Sequence, residues 1–267
     1  MLDSILSKAP QYLLVFVRCF ALVLTLPLFS MRSVSRTAKV ALAGYMAFFI
    51  MPTVDFGPYA PMLGDNEAFS LEFVFLALGE GLIGIVMGFY IQIIFAAFST
   101  AGQFFAFQMG FSAASAYDAL AQVENPLMGQ YLNLVSMLVF MQTKWFQKLF
   151  LGGLLKSFET MNVVSIISGR EKIVRFMLSG LTKLFADALV IAIPIMGTLM
   201  IITVCTGLLS KAAPQMNLLS EGFPIMILLS FFLIATVFPS LVDFFVRSFS
   251  GGFEQLTKFM LSFGGGS

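Results

Sequence analysis

The pattern of hydrophobic and polar positions divides the chain into apolar blocks separated by short polar stretches. The blocks cover residues 11–31, 40–51, 71–100, 127–141, 150–158, 184–209 and 225–246. A helix needs about 20 apolar residues to cross a bilayer, so several blocks are long enough, whereas 40–51 and 150–158 are short. The pattern predicts an all-α membrane protein.

The composition agrees with a membrane protein. Hydrophobic residues make up 59% of the 267 residues and charged residues 11%, whereas soluble domains are about 45–50% apolar and about 25% charged. The net charge of +1 gives no basic field for nucleic acid and no acidic field for a cationic partner. Cys19 and Cys205 lie inside apolar runs, which predicts two core residues rather than a disulfide or a metal pair.

The residues that catalysis needs are missing from the sequence. The chain has no histidine, the usual proton shuttle and the commonest metal ligand. It also lacks a nucleotide-binding loop, paired carboxylates at catalytic spacing, and a Ser/His or Cys/His constellation. We therefore expect no enzyme, no cofactor and no metal site.

A stripe of small and polar residues runs through block 71–100. Its members recur every four residues and are Glu80, Gly84, Gly88, Gln92 and Ala96. Small residues at this spacing let another helix approach closely, although glycine is also tolerated in membrane helices without a packing role. A carboxylate in such a block is costly and usually faces protein or water. We expect Glu80 to face a neighbouring helix or subunit and to be paired there.

Residues 102–126 are typical of neither a membrane span nor an ordinary loop. Bulky apolar residues give way to small ones and then to a polar tail, and the stretch has no Lys or Arg. Irregular backbone at membrane depth occurs only where it is buried in protein or lines a water-filled cavity. The stretch is therefore expected to line or close a conduit, with an interfacial loop as the alternative. The candidate gate residues are Phe104, Phe107, Gln108, Met109, Gly110, Phe111 and Ser112.

The distribution of charges conflicts with a simple membrane topology. Residues 32–39 are basic and favour the cytoplasmic side, and the acidic loop 53–69 favours the outer side. We expect the charged segment 159–183 to be solvated and partly helical. If each apolar block crosses the membrane in turn, this segment falls on the outer side, against the usual preference of basic segments for the cytoplasmic side. Either residues 102–117 form a half-span, or the blocks are not conventional spans.

A polar motif separates the last two long blocks. It runs Gly-Leu-Leu-Ser-Lys-Ala-Ala-Pro-Gln-Met-Asn over 207–217 and is followed by Gly-Phe-Pro at 222–224. Pro214 removes a backbone donor, and Gln215 and Asn217 need partners if they are buried. The motif is expected at a subunit contact or sharp turn outside lipid. Its candidate residues are Lys211, Ala213, Pro214, Gln215, Asn217, Gly222, Phe223 and Pro224.

Three segments together resemble the flagellar export-gate family FliR and its virulence-secretion counterparts, the SctT proteins. They are 80–88, 101–111 and the motif of 207–217 with 222–224, of which the last is the most specific. Two departures stand out. The Asp-Pro expected after the Gln-Met-Gly run is Asp118-Ala119 here, and the arginine expected before the Ala-Pro-Gln run is Lys211, which loses the bidentate fork.

The resemblance implies a fold, partners and a location. It implies one gate domain over 1–267, built from helical hairpins that stack in a right-handed helical assembly, with residues 104–125 as a central plug. The implied partners are FliP-like and FliQ-like gate subunits, FlhB-like and FlhA-like export proteins, membrane lipid and unfolded export substrates. The implied location is the bacterial inner membrane, in the flagellar basal body.

Other functions stay open on the sequence alone. The resemblance covers the virulence injectisome as well as the flagellum, and the motif near the C-terminus favours the flagellum. A secondary transporter would use Glu80, Asp187 and Lys183 as coupling groups and 102–126 as a broken helix, although no internal repeat supports it. A purely structural membrane scaffold is the third alternative.

Overall fold

The computed structural model describes residues 8–30, 34–59, 70–110, 127–212 and 218–264, which form helices and turns without a strand. The main helices are α1 (Ala9–Thr25), α2 (Arg36–Ile50), α3 (Leu71–Gln108), α4 (Leu127–Gln142), α5 (Leu155–Thr160), α6 (Val163–Ser168), α7 (Arg170–Ala212) and α8 (Leu218–Gly264). Shorter helical turns lie at Pro27–Ser30, Met51–Thr53, Gly57–Tyr59 and Trp145–Gln147, and a π-helical segment at Lys148–Leu154 leads into α5.

Three helices within the described residues are long and apolar enough to cross a membrane. They are α3, α7 and the part of α8 from Pro224 to Gly264. Their lengths of 38, 43 and 41 residues exceed the roughly 20 residues that a span requires. At this level the prediction of an all-α membrane protein is confirmed.

The helices extend beyond the apolar blocks that predicted them. Residues 102–108 continue α3, charged residues from Arg170 onward open α7, and α8 runs to Gly264 instead of ending at Arg247. For α7 and α8 hydropathy cannot detect the charged extensions, because an exposed helical turn tolerates charge when opposite signs lie four residues apart. Glu171 accepts from Arg175 at 2.7 Å in one such pair.

The chain divides into two compact units. The first combines Met1–Ile93, Lys144–Gly180 and Ser250–Ser267, and the second combines Ile94–Thr143 and Leu181–Phe249. Each unit therefore draws on distant parts of the sequence, and α3, α7 and α8 each contribute to both. One export-gate domain over 1–267 stays a prediction.

In the first unit α1 packs along α2 and α3. The Tyr12 hydroxyl donates to the Gly44 carbonyl of α2 at 2.9 Å. A hydrophobic cluster gathers side chains from α1, the Gly57–Tyr59 turn, α3 and α6, namely Leu14, Tyr59, Phe73, Leu76 and Val163. Tyr59 belongs to this cluster, and its hydroxyl takes part in the polar group described below.

In the second unit an aromatic cluster joins the end of α3 to α4 and α8. Phe95 and Phe140 have ring centroids 5.3 Å apart, and Phe98 lies 4.1 Å from Phe245. Phe249 contacts Phe95, Phe98 and Phe140 at centroid distances of 5.0 to 5.6 Å. Such tilted ring pairs contribute about 0.5–1.5 kcal/mol each beyond the area that they bury.

Candidate functional site

Arg18 of α1 is the centre of a buried polar cluster in the first unit. Its side chain is 0% exposed. Nε donates to Glu80 Oε2 at 2.5 Å, Nη1 to Ser157 Oγ at 3.1 Å, and Nη2 to the Met161 carbonyl at 3.1 Å. The guanidinium also lies over the Phe158 ring, 3.9 Å from its centroid. One side chain thus joins α1, α3 and the α5–α6 junction.

Glu80 completes the cluster from α3. It is 1% exposed, and its second oxygen, Oε1, accepts from the Tyr59 hydroxyl at 2.6 Å. That hydroxyl in turn accepts from the backbone N–H of Val163 at 3.2 Å. Burial, followed by the charge of Glu80 and its hydrogen bond, raises the pKa of Tyr59 well above its ordinary value. The phenol therefore stays protonated and remains a donor to the carboxylate.

Two glycines of the predicted stripe let α1 approach α3 closely enough to form this ion pair. A β-carbon at position 84 would collide with the Arg18 carbonyl oxygen and lie 2.9 Å from Ala21 Cβ. One at position 88 would collide with Thr25 Oγ1 and lie 3.1 Å from the Leu22 carbonyl oxygen. Because the obstructing atoms are mostly backbone or Cβ atoms, these positions favour glycine.

Gln92, the fourth member of the stripe, is exposed. Four residues advance an α-helix by about 400°, so a four-residue repeat drifts by about 40° at each step. Over the three steps from Glu80 the drift reaches about 120°, which turns Gln92 away from α1. The contact with α1 therefore uses only the first three members of the stripe.

The cluster is chemically satisfied. Every buried side-chain nitrogen and oxygen atom among the described residues has a hydrogen-bond partner. A buried ion pair with complete hydrogen bonding is stable in place, whereas removing one partner leaves an uncompensated buried charge. Such an arrangement fixes helix positions and offers no reactive group to a substrate.

A second polar group lies in the second unit, between α7 and α8. Asp187 Oδ2 accepts from the Ser248 hydroxyl at 2.8 Å and lies 3.6 Å from Lys183 Nζ. The side chains of Lys183 and Asp187 are 31% and 16% exposed. The transporter alternative named Glu80, Asp187 and Lys183 as coupling groups, and the structure pairs each of them within its own unit.

The described gate candidates lie at the C-terminal end of α3. Phe104, Phe107 and Gln108 are helical, and Met109 and Gly110 form the turn that follows. Phe107 is 73% exposed while Met109 is 0% exposed, so these two side chains face opposite environments. Gly110 has φ of 83°, a conformation that glycine adopts readily and that ends the helix. Phe111 and Ser112 lie outside the described residues.

The polar motif near the C-terminus is described only at its edges. Lys211 is exposed in the last turn of α7, Gly222 is half-buried and Pro224 is exposed inside α8. Positions 222–224 are thus helical and form no sharp turn, while the alternative of a subunit contact stays a prediction. Five motif residues lie wholly or by their side chains outside the described part, namely Ala213, Pro214, Gln215, Asn217 and Phe223.

Sequence reasoning missed the partners of Glu80. Arg18 interrupts the apolar block 11–31, and Tyr59 and Ser157 carry no signal of their own in the sequence. The rule that singled out Glu80 applies equally to Arg18, since a lone charge in an apolar helix needs a partner. Two such residues of opposite sign predict a pair, although 62 positions separate them.

The described residues contain no group of three His, Cys, Asp or Glu side chains placed to hold a metal ion. The two cysteines are free, with Cys19 buried in α1 and Cys205 exposed on α7. The prediction that both cysteines are core residues is therefore confirmed for Cys19 and wrong for Cys205, which lies on the exposed apolar face of its helix.

The comparisons with known proteins agree on one family. The sequence model of the family described as bacterial export proteins, family 1, matches residues 9–252. Flagellar biosynthetic protein FliR of Bacillus subtilis is 31% identical over 87% of this chain and 88% of the relative. FliR of Escherichia coli K12 is 30% identical over 94% of this chain and 93% of the relative.

A virulence-associated relative also matches. Surface presentation of antigens protein SpaR of Shigella sonnei is 30% identical over 64% of this chain and 67% of the relative. The match to the family model over residues 9–252 and the coverage of the FliR proteins show that the chain belongs to the FliR/SpaR family of bacterial export proteins, whose members are transport components rather than enzymes.

Proposed function

We propose that the chain is a subunit of the flagellar protein export gate in the bacterial inner membrane. It forms part of the wall of a channel and supplies the plug that closes it. Unfolded flagellar subunits cross the membrane through this channel. The observation that carries the proposal is the near full-length similarity to FliR proteins, which reaches 94% of this chain in Escherichia coli.

The extent of similarity favours the flagellum over the injectisome. The two FliR relatives named above align with 87% and 94% of the chain, whereas SpaR aligns with 64%. In the shorter alignment about a third of this chain is not aligned with SpaR. We therefore assign the chain to the flagellar branch.

The exposed faces of α7 and α8 support a role in an assembly. In the most apolar window of each helix, 28% of α7 and 17% of α8 is buried within the chain, against 67% of α3. Large side chains such as Leu208 and Leu228 are 64% and 75% exposed. Apolar area of this extent is stable only against lipid or other subunits. In the gate its partners are FliP-like and FliQ-like subunits, stacked with this chain as helical hairpins in a right-handed assembly.

The Arg18 cluster supplies a rigid element for such a wall. Four separated segments are held by charge-assisted bonds that are shielded from water, and such bonds are about twice as strong as neutral ones. A channel wall needs fixed helix positions while its plug moves. Glu80, Gly84 and Gly88 act in this role within the subunit.

The plug comprises the C-terminal end of α3 and the residues that follow it. It begins with Phe104, Phe107, Gln108, Met109 and Gly110 and continues through Phe111 and Ser112. Bulky apolar side chains close a pore by excluding water from a constriction. Of the described candidates, Phe107 has the exposure that a seal against another surface requires. The motif from Lys211 to Pro224 makes a subunit contact.

Co-purification tests the assignment. The chain, carrying an affinity tag, is extracted in mild detergent from its native host, and the recovered proteins are identified by mass spectrometry. We expect FliP-like and FliQ-like proteins as stable partners, with FlhB-like and FlhA-like export proteins in smaller amounts. Deleting the gene is expected to abolish filaments and motility. Recovery of the chain without gate subunits, or a motile deletion strain, would overturn the proposal.

Ion leakage tests the plug separately. Deleting residues 108–115 is expected to make the membrane leaky to ions while the complex still assembles. Loss of the complex without a leak would indicate that the segment is ordinary core. An intact complex in a tight membrane would exclude the plug.

A further inference from the structure

The end of α8, residues 250–264, belongs to the first unit. One face of this segment is buried: Leu256 and Met260 are 0% exposed, and Phe259 is 7% exposed. The opposite face carries an exposed ion pair between Glu254 and Lys258, with N and O atoms 2.7 Å apart. The segment is therefore an amphipathic helical strap seated on the first unit.

Aromatic and polar contacts fix the strap along its length. Phe253 lies 5.7 Å from the Trp145 ring, and Phe259 stacks on Phe176 with centroids 4.0 Å apart and planes 7° from parallel. The Tyr90 hydroxyl donates to Gln255 Oε1 at 2.7 Å. The strap thus contacts both α3 and the segment from 145 to 176.

The last turn of the strap is seated against the end of α5, Gly169 and the start of α7. Lys172 Nζ donates to the Ser262 carbonyl at 2.8 Å, which satisfies an acceptor at the C-terminal end of α8. A β-carbon at position 169 would collide with the Phe263 ring, and one at position 264 would lie 3.4 Å from Thr160 Cβ. The last turn of α8 therefore packs against these residues at van der Waals distance.

The elements under the strap also hold Arg18. Ser157 Oγ and the Met161 carbonyl accept from the guanidinium, and the Val163 N–H donates to Tyr59. Thr160, which contacts the strap, lies between these two acceptors in sequence. Since hydrogen bonds of this kind need distances near 3 Å, any outward movement of α5 and α6 breaks them.

We propose that the strap beyond residue 252, residues 253–264, is a positioning element that presses α5 and α6 onto Arg18. These residues lie beyond the part matched by the family model, which ends at residue 252. The strap contributes no hydrogen-bonding group to the polar cluster around Arg18. It acts through the α5–α6 segment, which supplies the Ser157 and Met161 acceptors. Removing its contacts is expected to open the α5–α6 junction while the second unit stays folded.

Thiol labelling of the full-length protein in detergent tests the proposal. The reporter is Met161→Cys in a Cys205→Ser background, where Met161 is 1% exposed and the native Cys19 is 0% exposed. The backbone acceptor at 161 is retained. Phe259→Ala removes the stacking on Phe176 and the support of Phe263, which lies against Gly169, and is expected to raise the maleimide labelling rate at least tenfold. The control Leu261→Ala, a side chain 48% exposed on the same helix, is expected to leave it unchanged.

A second reporter separates local opening from unfolding. Leu199→Cys is placed at a site that is 0% exposed in the second unit. Phe259→Ala is expected to leave Leu199→Cys protected while Met161→Cys becomes reactive. Unchanged protection of Met161→Cys would overturn the proposal, and so would equal exposure of both reporters, since it would make Phe259 a general core residue.

Discussion

Glu80→Leu is the sharpest test of the buried cluster. The change leaves the Arg18 guanidinium, which is 0% exposed, without its carboxylate and removes the acceptor of the Tyr59 hydroxyl. Breaking a buried pair by removing one partner costs about 3–5 kcal/mol. At about 1.4 kcal/mol per tenfold, the ratio of folded to unfolded protein falls by roughly a hundred- to several-thousand-fold.

The matched control is Glu72→Leu in the first turn of the same helix. Glu72 is exposed, so its loss removes only a favourable helix-end charge of about 0.3–1 kcal/mol. The double variant Arg18→Leu with Glu80→Leu removes both charges and is expected to recover part of the stability lost by Glu80→Leu alone, because no unpaired charge remains.

The assay is the yield of monodisperse protein in detergent together with its thermal unfolding midpoint. We expect Glu80→Leu to lose most of the folded yield and the double variant to lie between it and the wild type. Glu72→Leu is expected to keep the wild-type yield, with at most a small fall in the thermal midpoint. Equal stability of Glu80→Leu and Glu72→Leu would refute the reasoning. A double variant that is less stable than Glu80→Leu would show that the charge itself is not the cause.

Three further predictions concern helix packing, the gate segment and pH. Gly84→Ala should lower Tm by about 3–10 °C through overpacking, while Gly197→Ala, which has open space around it, should not. Met109→Ala should lower the free energy of unfolding by about 2–5 kcal/mol, because the Met109 side chain is buried. Phe107→Ala should leave stability unchanged, because Phe107 is exposed, and should increase ion leakage if Phe107 seals the pore. Because the pKa of Tyr59 is raised, its contribution to stability is present below about pH 10 and is lost as the pH rises. At about pH 11 Tyr59 is still protonated and gives no tyrosinate absorbance, so Tyr59→Phe should absorb as much as the wild type. The chain has six tyrosines, so a loss of one sixth of the tyrosinate absorbance in Tyr59→Phe would contradict this.

The apolar pattern located helices well and their ends poorly. Blocks 71–100, 127–141 and 184–209 each fall within one helix, because burying a backbone in lipid requires its hydrogen bonds to be made internally. The ends were missed where charged turns extend a helix. In α8 the prediction stopped at Arg247, although Phe259 and Met260 further on are buried.

The sequence by itself determined that Glu80 needs a partner and that the glycines four and eight residues later permit a close helix contact. Both follow from costs that act on any helix in an apolar environment, whatever the rest of the fold. Only the tertiary structure decided that the partners are Arg18, Tyr59 and the α5–α6 junction, because these groups meet through packing of segments far apart in the chain. It also decided that Gln92 leaves the contact, since helical drift becomes decisive only once the position of the neighbouring helix is fixed.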